Sequence, residues 1–133
     1  MTKRELSQLY WLNREIEEQQ RRLDELESLA TSCTSRITGM PRSKGLVDRL
    51  AIYTAEIADL RGLIDLNIKK CFYELNRLNR YINGIKDSQI RMILSLRYIN
   101  GMTWQQIAFS IGEHDEQFPR RKHNDFLKHS LEE

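Results

Sequence analysis

Proline, cysteine and long apolar runs are scarce in this sequence. It holds 2 Pro and 2 Cys in 133 residues, and no apolar run approaches the ~18 residues that a membrane-spanning helix requires. Cys33 and Cys71 lack the CxxC spacing of a metal or redox site, so we expect two ordinary thiols in a reducing compartment. The first segment, MTKRELSQLYWLNRE, is charged throughout and lacks the apolar centre of a signal peptide. These absences predict a cytoplasmic protein with no membrane contact.

Sequence motifs of catalysis are missing too. The sequence has no Gly-rich phosphate loop, no nucleophile elbow and no convergent pair of carboxylates. Its three histidines, His114, His123 and His129, have neither the paired spacing of metal ligands nor a cysteine nearby. We therefore expect no enzymatic activity, no cofactor and no metal.

Charge is abundant but nearly balanced. Charged residues make up 30% and apolar residues 40% of the chain, which is typical of a helix-rich globular protein. The net charge of +2 is too small to indicate nucleic-acid binding by itself. Residues 87–133, which contain the motif described below, carry 6 basic and 7 acidic side chains. That slight acidity counts against DNA binding.

Residues 3–30 contain neither Gly nor Pro and predict one long helix. Their spacing defines an a/d seam with one polar member. The seam consists of Leu9, Leu12, Ile16, Gln19, Leu23, Leu26 and Ala30. The following segment, residues 31–45, is rich in Ser, Thr, Gly and Pro and predicts a loop.

A second long helix is predicted from about residue 43 or 44 to residue 82. Its seam is Leu46, Leu50, Tyr53, Ile57, Leu60, Ile64, Asn67, Cys71, Leu78 and Tyr81, and Glu74 interrupts it. Val47, Ile68, Leu75 and Ile82 widen the apolar stripe on one side.

These two helices predict an antiparallel hairpin whose surplus apolar surface favours a homodimer. In such a dimer, Asn67 at a d position would help to select the register. The alternative is a bundle within one chain, with Asn67 facing solvent.

Three shorter helices are predicted near the C-terminus. The segment NGIKD, residues 83–87, is a break that ends in an N-cap, Asp87, and a helix over residues 88–98 follows. Asn100-Gly101 ends that helix. Thr103 and Gln106 form a capping box for the next helix, which stops at Gly112.

The last helix is predicted to start loosely between Asp115 and Phe118 and to be regular over residues 119–128, because Pro119 suits a first helical position. Two inner faces are expected to meet across the turn, with the small Ala108 allowing close approach. The residues assigned to these faces are Trp104, Ile107 and Ile111 before the turn, and Phe118, Phe126 and Leu127 after it.

Helix, Gly-containing turn and basic helix form the layout of a helix-turn-helix. The DNA-contact candidates Arg120, Arg121, Lys122 and Asn124 lie on the last helix. Arg can bind guanine through two hydrogen bonds and Asn can bind adenine in the same way. The alternative is a solvated face whose charge Asp125 and Glu116 compensate.

A second basic group lies on the second long helix. Lys69, Lys70, Arg77 and Arg80 are candidate phosphate contacts. The alternative is a plain solvated stripe.

The segment LRYINGMTWQQIAFSIG resembles the start of the helix-turn-helix in region 4 of sigma-70-type factors. The matching residues are Arg97, Tyr98, Gly101, Thr103, Trp104, Ile107, Ala108 and Gly112. Nearly the whole chain, including Met40-Pro41-Arg42 in the linker, is similar to small phage-encoded transcriptional regulators of the RinA/ArpU type.

This resemblance implies a phage or prophage protein that activates late operons, binds double-stranded promoter DNA and contacts RNA polymerase. It places the reading helix after Gly112, so that His123 joins Arg120, Arg121 and Asn124 as a DNA contact. The sequence departs from the sigma pattern at DEQFPRR, where Phe118 takes a Val position and Pro119 is foreign.

Together these patterns predict an all-α protein in two parts. Residues 1–84 would form the long hairpin and an oligomerisation region, and residues 85–133 the helix-turn-helix domain. The expected function is a DNA-binding transcriptional regulator. Two alternatives remain open: a small terminase subunit for phage DNA packaging, and a helical adaptor that docks on RNA polymerase without reading bases.

Overall fold

The computed structural model describes residues 1–37 and 44–132, and all regular secondary structure in them is helical. The predicted all-α class is therefore confirmed. The helices are α1 (Lys3–Leu6), α2 (Gln8–Ile37), α3 (Lys44–Asn83), α4 (Ser88–Leu94), α5 (Trp104–Ser110) and α6 (Gln117–Glu132). None of these helices has an apolar stretch long enough to cross a membrane.

The first predicted helix is interrupted near its start. Thr2 and Glu5 form a capping box: the Glu5 amide donates to the Thr2 hydroxyl at 3.2 Å, and Glu5 Oε2 accepts from the Thr2 amide at 2.9 Å. Ser7 then separates α1 from α2, and its hydroxyl donates to the Lys3 carbonyl at 2.8 Å. Such side-chain bonds compete with the helical pattern and bend it, so the prediction of one continuous helix is corrected at this residue.

The loop predicted over residues 31–45 is wrong for residues 31–37, because helix α2 continues to Ile37. Helix α3 begins at Lys44 and ends at Asn83, which confirms the predicted second long helix. The Thr31 hydroxyl donates to the Glu27 carbonyl at 2.8 Å, which satisfies the hydroxyl inside the helix. Residues 38–43, including the linker residues Met40-Pro41-Arg42, lie outside the described residues.

The chain divides into two compact units. We call Arg14–Lys70 the hairpin unit, and Met1–Asn13 together with Cys71–Glu133 the terminal unit. Helices α2 and α3 each contribute residues to both. The terminal unit thus combines residues from both predicted segments, and the domain boundary after residue 84 stays a prediction.

In the hairpin unit, α2 and α3 run antiparallel. Arg61 Nη2 lies 2.7 Å from Glu27 Oε1, and Asn67 Nδ2 donates to Gln19 Oε1 at 3.0 Å. The α2 residue with the lower number thus contacts the α3 residue with the higher number, which confirms the predicted antiparallel pairing in this unit. Among the described residues of this unit, Leu23, Leu26 and Ile64 of the predicted seam are buried, and so is Cys33.

The single-chain alternative predicted that Asn67 faces solvent, and this prediction is wrong. Its side chain is only 3% exposed, and Gln19, the polar member of the α2 seam, accepts its hydrogen bond. Leaving a buried amide unpaired costs about 1–3 kcal/mol. The pair therefore favours this one register of α2 against α3.

The core of the terminal unit draws on nearly all of its helices. One buried cluster of this core consists of Leu6, Leu9, Leu78, Ile82, Leu94, Tyr98 and Leu127. The N-terminal residues thus form part of the same core as the C-terminal helices. The sequence predicted only the three C-terminal helices for this unit and did not indicate that the N-terminal residues belong to it.

Helix α4 starts as predicted but ends in a different geometry. Asp87 Oδ1 accepts from the Gln89 amide at 2.9 Å, which confirms the N-cap. After Leu94 the chain continues as a π-helix, Ser95–Ile99, in which the Asn100 amide donates to the Ser95 carbonyl five residues back. Sequence periodicity gives no signal for such a widened turn, so a regular helix over residues 88–98 was only partly correct.

Candidate nucleic-acid interface

Helix α5 begins with the predicted capping box. The Gln106 amide donates to the Thr103 hydroxyl at 3.3 Å, and Gln106 Oε1 accepts from the Thr103 amide at 3.0 Å. Ile107 and Ala108 are fully buried, as the predicted inner face requires, whereas Ile111 is half-buried.

The turn after α5 is a Schellman motif. The Glu113 amide donates to the Ala108 carbonyl at 2.8 Å, and the Gly112 amide to the Phe109 carbonyl at 3.2 Å. Gly112 has φ +83°, a left-handed conformation that glycine adopts without a steric penalty. The prediction that Gly112 ends α5 is confirmed.

Asp115 organises the start of α6. Its carboxylate accepts from the Gln117 amide at 2.9 Å, and its carbonyl accepts from the Phe118 amide, three residues on, at 3.2 Å. The loose start is confirmed, but the regular helix extends beyond the predicted range at both ends, from Gln117 to Glu132. Pro119 becomes the third residue of α6. Its missing backbone N–H costs no helical hydrogen bond there, because the first four N–H groups of a helix have no acceptor within the helix.

The two sides of α6 differ sharply in burial. Pro119, His123 and Leu127 are buried at helical spacing, and Phe118 and Phe126 are half-buried beside them. The predicted inner residues therefore face the core, in part or in full. The predicted DNA contacts Arg120, Arg121 and Asn124 are all exposed.

His123 occupies a different place from the one predicted. It is 1% exposed, Tyr98 Oη is hydrogen-bonded to its Nε2, and the Trp104 ring lies edge-on at 4.9 Å between centroids. Its Nδ1 lies 2.9 Å from Asn124 Oδ1. The prediction that His123 contacts DNA is corrected accordingly, because a buried ring cannot reach a groove without leaving the core.

Burial favours the neutral forms of His123 and Tyr98. Desolvation lowers the pKa of His123, the hydrogen bond to Asn124 opposes this shift, and the charges of Lys3 and Arg97 add to it. Desolvation also raises the pKa of Tyr98 to about 12 despite the nearby Arg97. A neutral imidazole satisfies both contacts when Nδ1–H donates to Asn124 and Nε2 accepts from the Tyr98 hydroxyl.

Lys122 is engaged within the protein. Its Nζ donates to Gln89 Oε1 on α4 and lies 5.6 Å from the centre of the Phe118 ring. Its side chain is half-buried, so it is less available for a DNA contact than its two arginine neighbours.

Arg120 and Arg121 carry charge that the protein does not neutralise locally. Within residues 1–37 and 44–132, neither guanidinium takes part in an ion pair. The alternative in which Glu116 and Asp125 compensate them finds no support in these contacts.

The four basic candidates on α3 differ from one another. Arg77 lies 3.3 Å from Glu74 and 3.8 Å from Glu5, so two carboxylates offset its charge. Arg80 is exposed and pairs with no carboxylate in the described part of the chain. Lys69 and Lys70 are also exposed but belong to the hairpin unit.

The sequence predicted no contact role for three residues of this unit. Lys128 is exposed and lies on the same side of α6 as Arg121, seven residues away. Arg97 donates to the Met102 carbonyl at 3.0 Å and stacks 4.6 Å from the Trp104 ring, which holds the start of α5 in place. Phe109 is 85% exposed beside a cleft that Met102 also lines. The sequence could have indicated this exposure, because Phe109 is a large aromatic residue on the otherwise polar side of α5.

The terminal unit thus presents a capped helix, a Gly-containing turn and a second helix with free arginines. Among the residues that the structure describes, no group of His, Cys, Asp and Glu side chains could hold a metal ion. No protein-family model, curated protein or solved structure matches this chain.

Proposed function

We propose that this chain is a DNA-binding transcriptional regulator that inserts α6 into the major groove of promoter DNA. The observation that carries the proposal is the exposed side of α6. Arg121, Asn124 and Lys128 recur there at steps of three and four residues, Arg120 lies beside them, and the half-buried Gln117 precedes them by one turn. This is a row of hydrogen-bond donors whose three cations, Arg120, Arg121 and Lys128, form no ion pair within the described residues.

The chemistry of this row suits base and phosphate contacts. A guanidinium can donate two hydrogen bonds to the O6 and N7 of guanine, and an amide can bind the N6 and N7 of adenine. Asn124 Oδ1 already accepts from His123, which leaves its Nδ2 donors and one lone pair of Oδ1 for a base. His123 would therefore act as a positioning residue for Asn124.

The biological setting rests on the resemblance to phage regulators of the RinA/ArpU type. It supports a phage or prophage protein that acts in the cytoplasm on late promoters. A small terminase subunit would also join a helix-turn-helix to an oligomerising helical part. A closed ring in solution would favour that packaging role, whereas a dimer favours the regulator.

Binding to short duplexes from the neighbouring genome, at two salt concentrations, tests the proposal. We expect one preferred duplex, with an affinity that falls steeply as salt increases. Arg121→Ala should weaken binding to that duplex about 10- to 100-fold, as expected for the loss of one bidentate base contact. Arg22→Ala, an exposed arginine of α2, is the control and should keep wild-type affinity. Equal, weak binding to every duplex would exclude base reading by α6.

Phe109 favours a second candidate function, an adaptor that docks on RNA polymerase. A phenylalanine that is 85% exposed is unusual, and its cleft has an apolar neighbour in Met102. Under this alternative, Phe109→Ala would abolish polymerase binding and Arg121→Ala would have no effect on it. Duplex binding would then be weak and independent of sequence.

A further inference from the structure

Among its described residues, the hairpin unit exposes more large apolar side chains than it buries. Its buried apolar residues are Leu23, Leu26, Cys33 and Ile64. Its exposed ones are Leu29, Val47, Ile52, Leu63, Leu66 and Ile68, each 38–56% accessible. Two helices cannot enclose a core by themselves, so this unit has apolar surface that a further helix could cover.

One part of this surface forms a regular row along α3. Asp59, Leu63, Leu66 and Lys70 follow one another at steps of four, three and four residues, which places them on one side of the helix. We call this row the α3 stripe. It lies about a quarter turn from Ile64 and Asn67, which face α2. The stripe is therefore separate from the seam that joins the two helices.

The α3 stripe has the symmetry of a surface that binds itself. An acidic residue stands at one end, a basic residue at the other, and two leucines stand between them. Leu63 lies four residues after Asp59, and Leu66 lies four residues before Lys70, so one antiparallel register aligns both kinds of contact. A twofold axis near residues 64 and 65 puts Leu63 opposite Leu66 of the partner subunit and Asp59 opposite Lys70 of the partner subunit.

The charges at the two ends are available for such a contact. Leu63 is 46% and Leu66 is 49% exposed, and Asp59 and Lys70 are exposed as well. Neither of the two charged residues is ion-paired within the part of the chain that the structure describes.

We propose that two copies of this chain associate through the α3 stripe, with the two α3 helices antiparallel. A second copy fits this surface because each charged end meets its opposite when the same sequence returns in reverse. The contact is made twice about the axis, so each side chain of the stripe contributes two times. This surface gives the homodimer expected from the sequence a defined register, and the association can be tested without DNA.

Sedimentation equilibrium of the full chain without DNA tests the association. We expect a mass of twice 15.8 kDa at micromolar concentration. Asp59→Lys places two lysines opposite each other at both ends, and Lys70→Asp does the same with two aspartates. Each substitution should raise the dimer dissociation constant about tenfold, since two weak attractions become two repulsions. The double variant D59K/K70D restores both pairs and should return to within about threefold of wild type.

The leucines provide a matched comparison. Leu66→Glu should give the mass of a single chain, whereas Leu29→Glu, at a 46% exposed position on α2, should leave the dimer intact. Far-UV circular dichroism checks that each variant stays helical, and the charge reversals carry the test if Leu66→Glu does not fold. A single-chain mass for the wild type, or a dimer that neither charge reversal weakens, would overturn the proposal.

Discussion

The hydroxyl of Tyr98 is hydrogen-bonded to Nε2 of His123, and both side chains are buried. This contact joins the π-helix Ser95–Ile99 to α6 through the middle of the terminal unit. On its other side, the ring of His123 meets Asn124, whose side chain reaches the exposed face of α6. The buried pair therefore supports both the packing of α6 and the orientation of a candidate base-reading residue.

Tyr98→Phe removes the hydroxyl and leaves Nε2 of His123 buried without a partner. We expect the free energy of unfolding to fall by about 1–3 kcal/mol, the usual penalty for an unsatisfied buried polar group. Urea denaturation measures this change. Tyr73→Phe, at a 69% exposed position of α3, is the control and should change stability by less than about 0.5 kcal/mol. Equal stability of the two variants would mean that the contact contributes nothing to folding.

The lowered pKa of His123 predicts a pH dependence of stability. The unfolded chain binds a proton at His123 near the ordinary pKa of about 6.5, whereas the folded chain binds it only at lower pH. The unfolded state therefore holds more protons in this window. The contribution of His123 to the free energy of unfolding should be fully present above about pH 6.5. It should decrease as the pH falls towards the pKa of His123 in the folded chain.

Urea denaturation at several pH values between about 5 and 8 tests this sign. His123→Gln should flatten the dependence, although it is less stable than wild type at neutral pH. His114→Gln, at an exposed position of the turn, is the control and should keep the wild-type slope. A His123 variant with an unchanged slope would assign the pH dependence to other groups.

Local and periodic signals in the sequence predicted much of this fold. Thr103 with Gln106, Asp87 and Gly112 each act within a few residues of their partners, so their caps could be read directly. The a/d spacing identified the seam of the long helices because burial follows the same period. Leu23, Leu26 and Ile64 are buried where that spacing predicts.

The errors arose where side chains or tertiary contacts overrode those signals. The Thr31 hydroxyl bonds back to its own helix, so a Ser- and Thr-rich stretch stayed helical instead of forming a loop. The resemblance places His123 at the DNA together with its neighbours, although successive residues of an α-helix point about 100° apart. Its burial depends on Tyr98 and Trp104, and their positions follow from packing that no local pattern encodes.

The pair of Gln19 and Asn67 predicts a strong non-additivity. Gln19→Ala leaves the buried amide of Asn67 unpaired and should lower the free energy of unfolding by about 1–3 kcal/mol. The double variant Gln19→Leu/Asn67→Leu replaces both partners with apolar groups and should be as stable as wild type or more so. Thermal and urea denaturation of the single and double variants complete the cycle. Additive losses in the double variant would show that the two amides do not act as a pair.

Arg77 and Arg80 lie on the same helix but differ in whether carboxylates offset their charge, so their variants can be compared. Two carboxylates already offset the charge of Arg77, whereas Arg80 is exposed without an ion pair in the described residues. If Arg80 neutralises a phosphate, Arg80→Ala should reduce the slope of log affinity against log salt by about 0.9. Arg77→Ala should leave that slope unchanged, because the charge of Arg77 is already offset by two carboxylates and neutralises no phosphate. Its removal therefore does not change the number of counterions that DNA releases on binding. Both slopes come from titrations of one duplex across a series of salt concentrations. Equal slopes for Arg80→Ala and wild type would place the end of α3 outside the DNA contact and leave α6 as the surface that must account for the whole salt dependence.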